Sequence, residues 1–423
     1  MSERIPCSNP DCHNTILPST AAANNGLCAP CIGEIRKKEH EEYIRLNRRT
    51  VDQYEGIADR VEIAVIMLSP RKYDPLVAYA PAPLSVEQLF ASLSAEDACR
   101  LAAIASRAME DGNVDLAEDI GKSLATLTDL DLTEMLHAWV AKDRHWPSIT
   151  FRMAKPEIRD AIIQSLTAGR ANAHHALSSL AWIGDAVVKN AFVEWDVQRP
   201  IWASSLHVSP SAYAHTAGWE IVNNSRCDLF HEHCLALTQA DDGNAIFTVR
   251  TFQGTGRPCP WCGHELSNML DIDLSDRAFA FLRFAGSRLP ILTCHGCTSY
   301  GGAFFSKVDL DGTAQPHPRG IRPKWLPDTS QPWSEPAWRN IGVKLTSRRA
   351  IHAADWCVDM KTSQIGGLPC WVQDSDFPQC PDCAKTMIFI AQLNEDDFPA
   401  CEGTYYAFLC ASCRTTATNY QQT

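Results

Sequence analysis

Between Ser85 and Trp195 the apolar positions recur at helical spacing, in short blocks divided by one or two turn residues. Ser85 and Gln88 stand at capping-box spacing, and Leu89, Phe90 and Leu93 follow on one face, which predicts a helix. Ser94 is placed to cap a second, with a buried stripe of Ala98, Leu101, Ala102, Ala105 and Met109 that ends at Asp111-Gly-Asn. Leu116, Ile120 and Leu124 mark a third helix; Met135, Leu136, Trp139 and Val140 mark a fourth. Pro156 suits the first position of a fifth, with Ile158, Ile162 and Leu166 inward and Gly169 beyond its end. Ala173 to Ile183 and Ala186 to Trp195 give two more, divided by Gly184-Asp185. Short amphipathic helices joined by brief turns predict an α-hairpin array.

Elsewhere the period shortens or is lost. Val61-Glu-Ile-Ala-Val-Ile-Met-Leu68 reads as a short strand or a buried helix end, and the Pro-rich stretch from Tyr73 to Pro83 as a linker. Beyond Trp219 the apolar pattern becomes mixed, with strands expected at Ile341–Leu345, Met387–Leu393 and Thr404–Cys410 and a turn at Asp309–Gly312. Gln315 to Pro336 is too rich in proline for regular structure. Its tryptophans, with Trp338 just beyond (Trp325, Trp333, Trp338), either plug a core edge or form a binding surface.

Cysteine adds the chemistry. Of eighteen cysteines, twelve fall into three pairs of pairs: Cys7, Cys12, Cys28 and Cys31; Cys259, Cys262, Cys294 and Cys297; Cys380, Cys383, Cys410 and Cys413. Two thiolates three residues apart turn to one side of a tight knuckle, and a second knuckle completes a tetrahedron that suits zinc. Three structural zinc ions are expected. In the first set His13 is an alternative ligand to Cys12. In the last two sets a strand leaves the first knuckle and another enters the second, which is a zinc ribbon. Between the inner cysteines lie 31 residues in one ribbon and 26 in the other. Met269–Asp276 aligns with Ile390–Asp397, and Leu289–Cys294 with Tyr405–Cys410, so the two ribbons read as an internal duplication. Cys227, His231, His233 and Cys234 are a candidate fourth metal set, although the two histidines are two residues apart and not four. The remaining cysteines (Cys99, Cys357, Cys370, Cys401) read, with Cys227 and Cys234, as small buried hydrophobes.

Three resemblances follow. Cys7 to Cys31, running into the charged helical stretch Gly33–Arg49, resembles a treble-clef finger. Ala176-Leu-x-x-Leu-Ala-x-Ile-Gly-Asp185 resembles a HEAT-type repeat. Ile365-Gly-Gly-Leu-Pro-x-Trp-Val-Gln373, then Cys-Pro-Asp-Cys, Met387-x-Phe-Ile-Ala-Gln-Leu393 and the Tyr-Tyr-Ala-Phe strand, resemble the YwqG-like family of bacterial proteins. That last likeness is best over Ile341–Thr423 and extends back to about Gly218. Gln364 stands where family members often carry a basic residue. The family lends no catalytic residues, and an immunity or antitoxin-like setting is what it implies. The expected architecture is therefore multidomain α+β: a zinc finger with its helix at 1–60, a HEAT-like helical array at 61–215, and a β-rich, YwqG-like domain with duplicated ribbons at 216–423.

Charge narrows the function classes. The net charge is −12, and residues 61–256 carry −9 of it, with 15 Lys/Arg against 24 Asp/Glu. Neither ribbon segment is basic, so nucleic acid is disfavoured as a partner outside the N-terminal finger, where Arg45, Arg48 and Arg49 offer a modest basic face. No Gly-x-Ser-x-Gly, Walker loop or complete dinucleotide fingerprint occurs. No apolar run approaches a membrane span, and the first residues lack a secretory h-region. The expectation is a cytoplasmic, non-enzymatic, zinc-bearing protein that binds a protein partner. A nucleic-acid-associated finger protein is the alternative, and an enzyme with a scattered site is third.

Overall fold

The computed structural model describes residues 4–240, 247–299, 302–324, 326, 341–354, 362–394, 397 and 403–422. Trp325, Trp333, Trp338, Cys357 and Cys401 lie outside the described residues. The chain divides into two compact units, Met1–Pro83 and Leu84–Thr423. The helical segment from Leu84 and the ribbon segment thus share one unit.

In the first unit a small antiparallel pair, β1 (Ile5–Pro6) with β2 (Thr15–Ile16), precedes α1 (Pro18–Ala23) and α2 (Ala29–Asn47). Next come β3 (Arg49–Val51), α3 (Arg60–Leu68) and β4 (Val77–Tyr79). The apolar run Val61–Leu68 is thus a helix, capped by Asp59. Part of the expected linker is a strand: Val77–Tyr79 pairs in parallel with Arg49–Val51. Proline denies a donor only at its own position, and these three residues lie between prolines.

The second unit opens with α4 (Val86–Ala91), α5 (Ala95–Asp111), α6 (Val114–Leu127), α7 (Thr133–Val140), α8 (Pro156–Thr167), α9 (Ala173–Ile183) and α10 (Ala186–Val197). These are the helices the periodicity predicts. The Ser85/Gln88 capping box is formed, Ser94 accepts from Asp97 N–H, and Asp185 caps α10. Gly112 and Gly184 close α5 and α9 in the left-handed conformation that lacks a Cβ penalty. α9 packs on two 3-10 segments, Ser148–Phe151 and Pro210–Ala217, as well as on α8, so the packing is less regular than a two-helix repeat.

A hairpin, β5 (Trp219–Val222) and β6 (Ser225–Asp228), turns on Asn223 and Asn224, both at positive φ as a tight hairpin turn requires. The remaining elements are β7 (His231–Gln239), β8 (Val249–Pro258), β9 (Glu265–Asp273), β10 (Arg288–Thr293), α11 (His295–Ser299), β11 (Phe304–Val308), β12 (Ala314–Pro316), β13 (Ile341–Arg348), β14 (Gln364–Gly367), β15 (Ile388–Asn394), β16 (Thr404–Cys410) and β17 (Thr415–Gln421). All eleven strands join one antiparallel sheet in the order β10-β9-β8-β13-β7-β14-β15-β16-β17-β11-β12. Pro316 is tolerated because β12 is an edge strand.

The sheet curls almost into a barrel. β10, at one end of the order, packs back on β17 and β11 near the other, and Thr293 and Thr418 hydroxyls meet at 2.7 Å. Strand alternation sorts β16 between two cores. Tyr405, Ala407 and Leu409 join Met269, Ile291 and Ile390 inside, while Tyr406 and Phe408 join Phe389, Trp371 and Phe377 on the other face. Both faces are buried, which is why the sequence of β16 is a continuous apolar run. Among the described residues no helix is long and apolar enough to cross a membrane.

The Gly366-Gly367 pair has a backbone reason. Both residues sit at positive φ, +74° and +70°, and β14 slips register against β7 between them. A Cβ on Gly366 would lie 2.0 Å from the His233 carbonyl oxygen, and one on Gly367 2.7 Å from that of Ala350. Gln364 is fully buried and tied in: its amide donates to Leu368 O, and its oxygen accepts from Arg348. Gly366→Ala is expected to cost at least about 2 kcal/mol in urea unfolding, from backbone strain plus the clash. Gly33→Ala, in α2 with open space around it, should instead stabilise by up to about 1 kcal/mol.

Candidate metal centres

Each of the three predicted cysteine sets converges. In all of them one sulfur from each of four cysteines lies within 4.8 Å of the others. The measured edges are 3.8 Å for Cys7–Cys31, 3.6 Å for Cys12–Cys28, 3.6 Å for Cys259–Cys297, 3.3 Å for Cys262–Cys294 and 3.7 Å for Cys383–Cys410. Four thiolates around an ion at about 2.3 Å form a tetrahedron with an edge of ~3.8 Å. The three sets could therefore hold metal ions without rearrangement. In the first set it is Cys12, and not His13, that lies grouped with the other three cysteines.

Local backbone explains each convergence. In the N-terminal set Cys28 is the N-cap of α2 and Cys31 lies in its first turn, where free N–H groups favour thiolate. The N–H of Cys31 draws Cys28 down to about 6. Although the Asn9 amide favours its thiolate, Cys28 and burial push Cys31 up to about 12. Four ionised thiols so close repel one another, and a cation removes the conflict. Asn9 Nδ2 to Cys31 Sγ at 3.3 Å and the N–H of Cys28 to Cys7 Sγ at 3.3 Å orient the ligands.

The two ribbons share one knuckle. Cys259 N–H donates to His264 O and Gly263 N–H to Cys259 O; Cys380 N–H donates to Lys385 O and Ala384 N–H to Cys380 O. Gly263 and Ala384, the residues after the second cysteine, are both at positive φ. The strand registers also agree. Thr293, one before Cys294, faces Ser267, five beyond Cys262; Leu409, one before Cys410, faces Ile388, five beyond Cys383. Each pair carries a bulge that leaves one residue unpaired, Met269 in β9 and Ile390 in β15, which are the residues the sequence alignment matched. The halves differ at their second knuckles. Cys294 and Cys297 lie at and in the short helix α11, whereas Cys410 and Cys413 bracket a turn ending at Arg414, φ +53°.

Residues between the ribbons, which sequence reading passed over, brace the second one. Asp382, inside the Cys380–Cys383 knuckle, accepts from Lys307 at 2.5 Å, His317 at 3.2 Å and Thr415 at 3.1 Å. Lys307 first among these holds its carboxyl far below the usual carboxylate range. Lys307 also donates to Cys413 O at 2.6 Å, so one ammonium ties both knuckles. Spacing gave no signal for this, because the partners are some 70 to 110 residues apart.

The candidate fourth site does not assemble among the described residues. His231 and His233 lie along one side of β7 against the Phe281 ring, at 5.2 and 5.5 Å. Cys234 faces the other way and donates to Gln364 at 3.2 Å, and Cys227 pairs with Glu220 in the hairpin. Adjacent residues of a strand, such as His233 and Cys234, point to opposite faces and cannot converge on one ion. Burial pushes His231 down to about 4. Cys234 and Cys370 are buried as expected, whereas Cys99 is exposed, because it lies on the outer side of α5.

The first ribbon touches the second through His295, whose ring is hydrogen-bonded to Tyr405, and through the Phe252–Tyr405 ring contact at 5.3 Å. Cys380→Ser is therefore expected to reduce amide protection around Ile291 as well as around Phe408 in hydrogen exchange. Loss confined to the C-terminal ribbon would show two independent beads.

No family model matches the chain, and no solved structure matches it. A Salmonella typhimurium protein described as "Uncharacterized protein YpfL" is 36% identical over 436 residues, covering 100% of both chains. With that identity running the length of both, the chain belongs to the same family of bacterial proteins as YpfL.

Proposed function

We propose that the chain is a non-enzymatic protein that carries three structural zinc ions and binds a protein partner through its acidic helical segment. The observation that supports this most is that each centre offers four cysteine sulfurs at tetrahedral spacing. An ion so enclosed keeps no position for water or substrate, which is the mark of a structural and not a catalytic site. Thiolate donors suit zinc and disfavour magnesium or calcium. Zinc held this way contributes to folding, on the order of 10–16 kcal/mol of apparent binding free energy in small fingers. Under this reading a finger occupies 1–60, HEAT-like helices 61–215 and a ribbon domain 216–423. Likeness of Ile365–Gln373 and the strands after it to the YwqG-like family supports an immunity or antitoxin-like role in the cytoplasm.

Charge supports the choice of partner. Residues 61–256 carry a net −9. Asp111 and Asp115 are both exposed at the α5–α6 junction. Beside them the Glu118 carboxyl is raised by burial and then by Asp115. A basic protein surface is the complement. The nucleic-acid alternative rests on α2, whose side chains are mostly exposed beyond its first turn. Several of its cations are already engaged: Arg45 meets Glu42 at 3.0 Å and Lys37 meets Glu41 at 3.9 Å.

Crosslinking in cells, followed by reconstitution from purified components, separates the two. Asp111→Lys with Asp115→Lys should weaken the protein complex roughly tenfold, and Arg45, Arg48 and Arg49→Ala should leave it intact. Captured complexes that contain nucleic acid, fall apart steeply with salt and are lost in the triple arginine variant would defeat the reading.

A further inference from the structure

The sheet-bearing unit also holds a cavity of about 690 Å³, set between α9, the 3-10 segment Pro210–Ala217, the Trp146-Pro147 turn and the segment after β14. That volume falls within the range of small-molecule sites, roughly 300–1,000 Å³. Four large aromatic rings line it: Trp146, Trp182, Tyr213 and Trp371. Trp182 is buried, and Trp146 is 43% exposed. The rings are held from behind. Trp371 stacks on Tyr406 at 4.6 Å, Trp146 lies 5.4 Å from the His175 ring, and the Tyr213 hydroxyl is hydrogen-bonded to His174. Rings fixed in advance spare a ligand the cost of ordering them.

The electrostatics are one-sided. Among the described residues no lysine or arginine lines the cavity, and Asp374 is its one carboxylate. Four histidines also line it, His174, His175, His207 and His215, and burial pushes His175 and His215 below the ordinary imidazole value. The indole N–H of Trp371 is buried without a hydrogen-bond partner among the described residues.

We propose that this cavity binds a small organic cation, an ammonium or guanidinium group carried on an apolar body. Indole and phenol faces attract a cation through the ring quadrupole, Asp374 supplies the countercharge, and an anion would meet that carboxylate with no lysine or arginine among the described lining residues to offset it. A free quaternary amine and a peptide lysine side chain share this chemistry. The proposal is independent of the zinc centres and of the partner-binding reading.

Calorimetric titration of the full-length protein with choline, against its neutral isostere 3,3-dimethylbutanol and against benzoate, tests it. Choline should bind saturably and at least roughly tenfold tighter than the neutral isostere, and benzoate should not bind. Tighter binding of N-acetyl-trimethyl-lysine amide than of choline would assign the site to a side chain, and the reverse order to a free amine. Trp371→Ala should weaken choline severalfold. Because that ring also packs on Tyr406, Asp374→Asn at an exposed position provides the variant that leaves the fold alone, and it too should weaken choline severalfold. Equal binding of choline and dimethylbutanol, preference for benzoate, unchanged choline affinity in Asp374→Asn, or no saturable binding of either cation up to about 10 mM would overturn the proposal.

Discussion

Four sulfurs within 4.8 Å of one another set the terms for the rest of this molecule. As thiolates they would repel one another, and a bound cation would remove that repulsion. In each ribbon the cluster joins the start of one strand to the end of its partner. Register is thereby pinned at the metal end, where Ser267 faces Thr293 and Ile388 faces Leu409. A slip of one residue would exchange the two faces of β16 and send Tyr405 and Tyr406 into each other's cores. The shared bulges at Met269 and Ile390 follow the same logic, since each lies at the same distance from its knuckle.

The two ribbons have diverged where the metal does not constrain them. The longer spacing between inner cysteines in the first, 31 residues against 26, is taken up in the turn that carries the 3-10 segment Arg277–Leu282. The second ribbon gained burial on both faces and the Asp382–Lys307–His317 network. Because β11 and β12 come from the chain between the halves and pair beyond β17, neither half can close the sheet alone. The two cysteine-bearing ends of this one sheet meet at Tyr405.

Local signals were legible in the sequence to the extent that local physics decides the outcome. Helix caps at Ser85 and Ser94 and the bounds of Thr404–Cys410 follow from neighbours a few residues away, and the three cysteine sets were visible from the repeated spacing of their pairs. Proline misled at Val77–Tyr79 and at Ala314–Pro316, where pairing with a distant strand outweighs a poor local composition. Return of β10 onto β17, the bracing of Asp382 and the separation of His231 from Cys234 depend on contacts or strand faces that spacing does not encode. The glycine pair at 366 and 367 was visible as a motif, but its reason, the approach of the His233 and Ala350 carbonyls, needs three dimensions.

The central claim is that the metal centres are closed, sulfur-only and structural. X-ray absorption at the zinc edge, with elemental analysis of the same full-length sample, tests it most directly. The account predicts three zinc ions per chain and a first shell of four sulfurs at about 2.3 Å, with no nitrogen or oxygen scatterer. One metal or none per chain, or a shell in which a light atom replaces sulfur and leaves an open position, would contradict it.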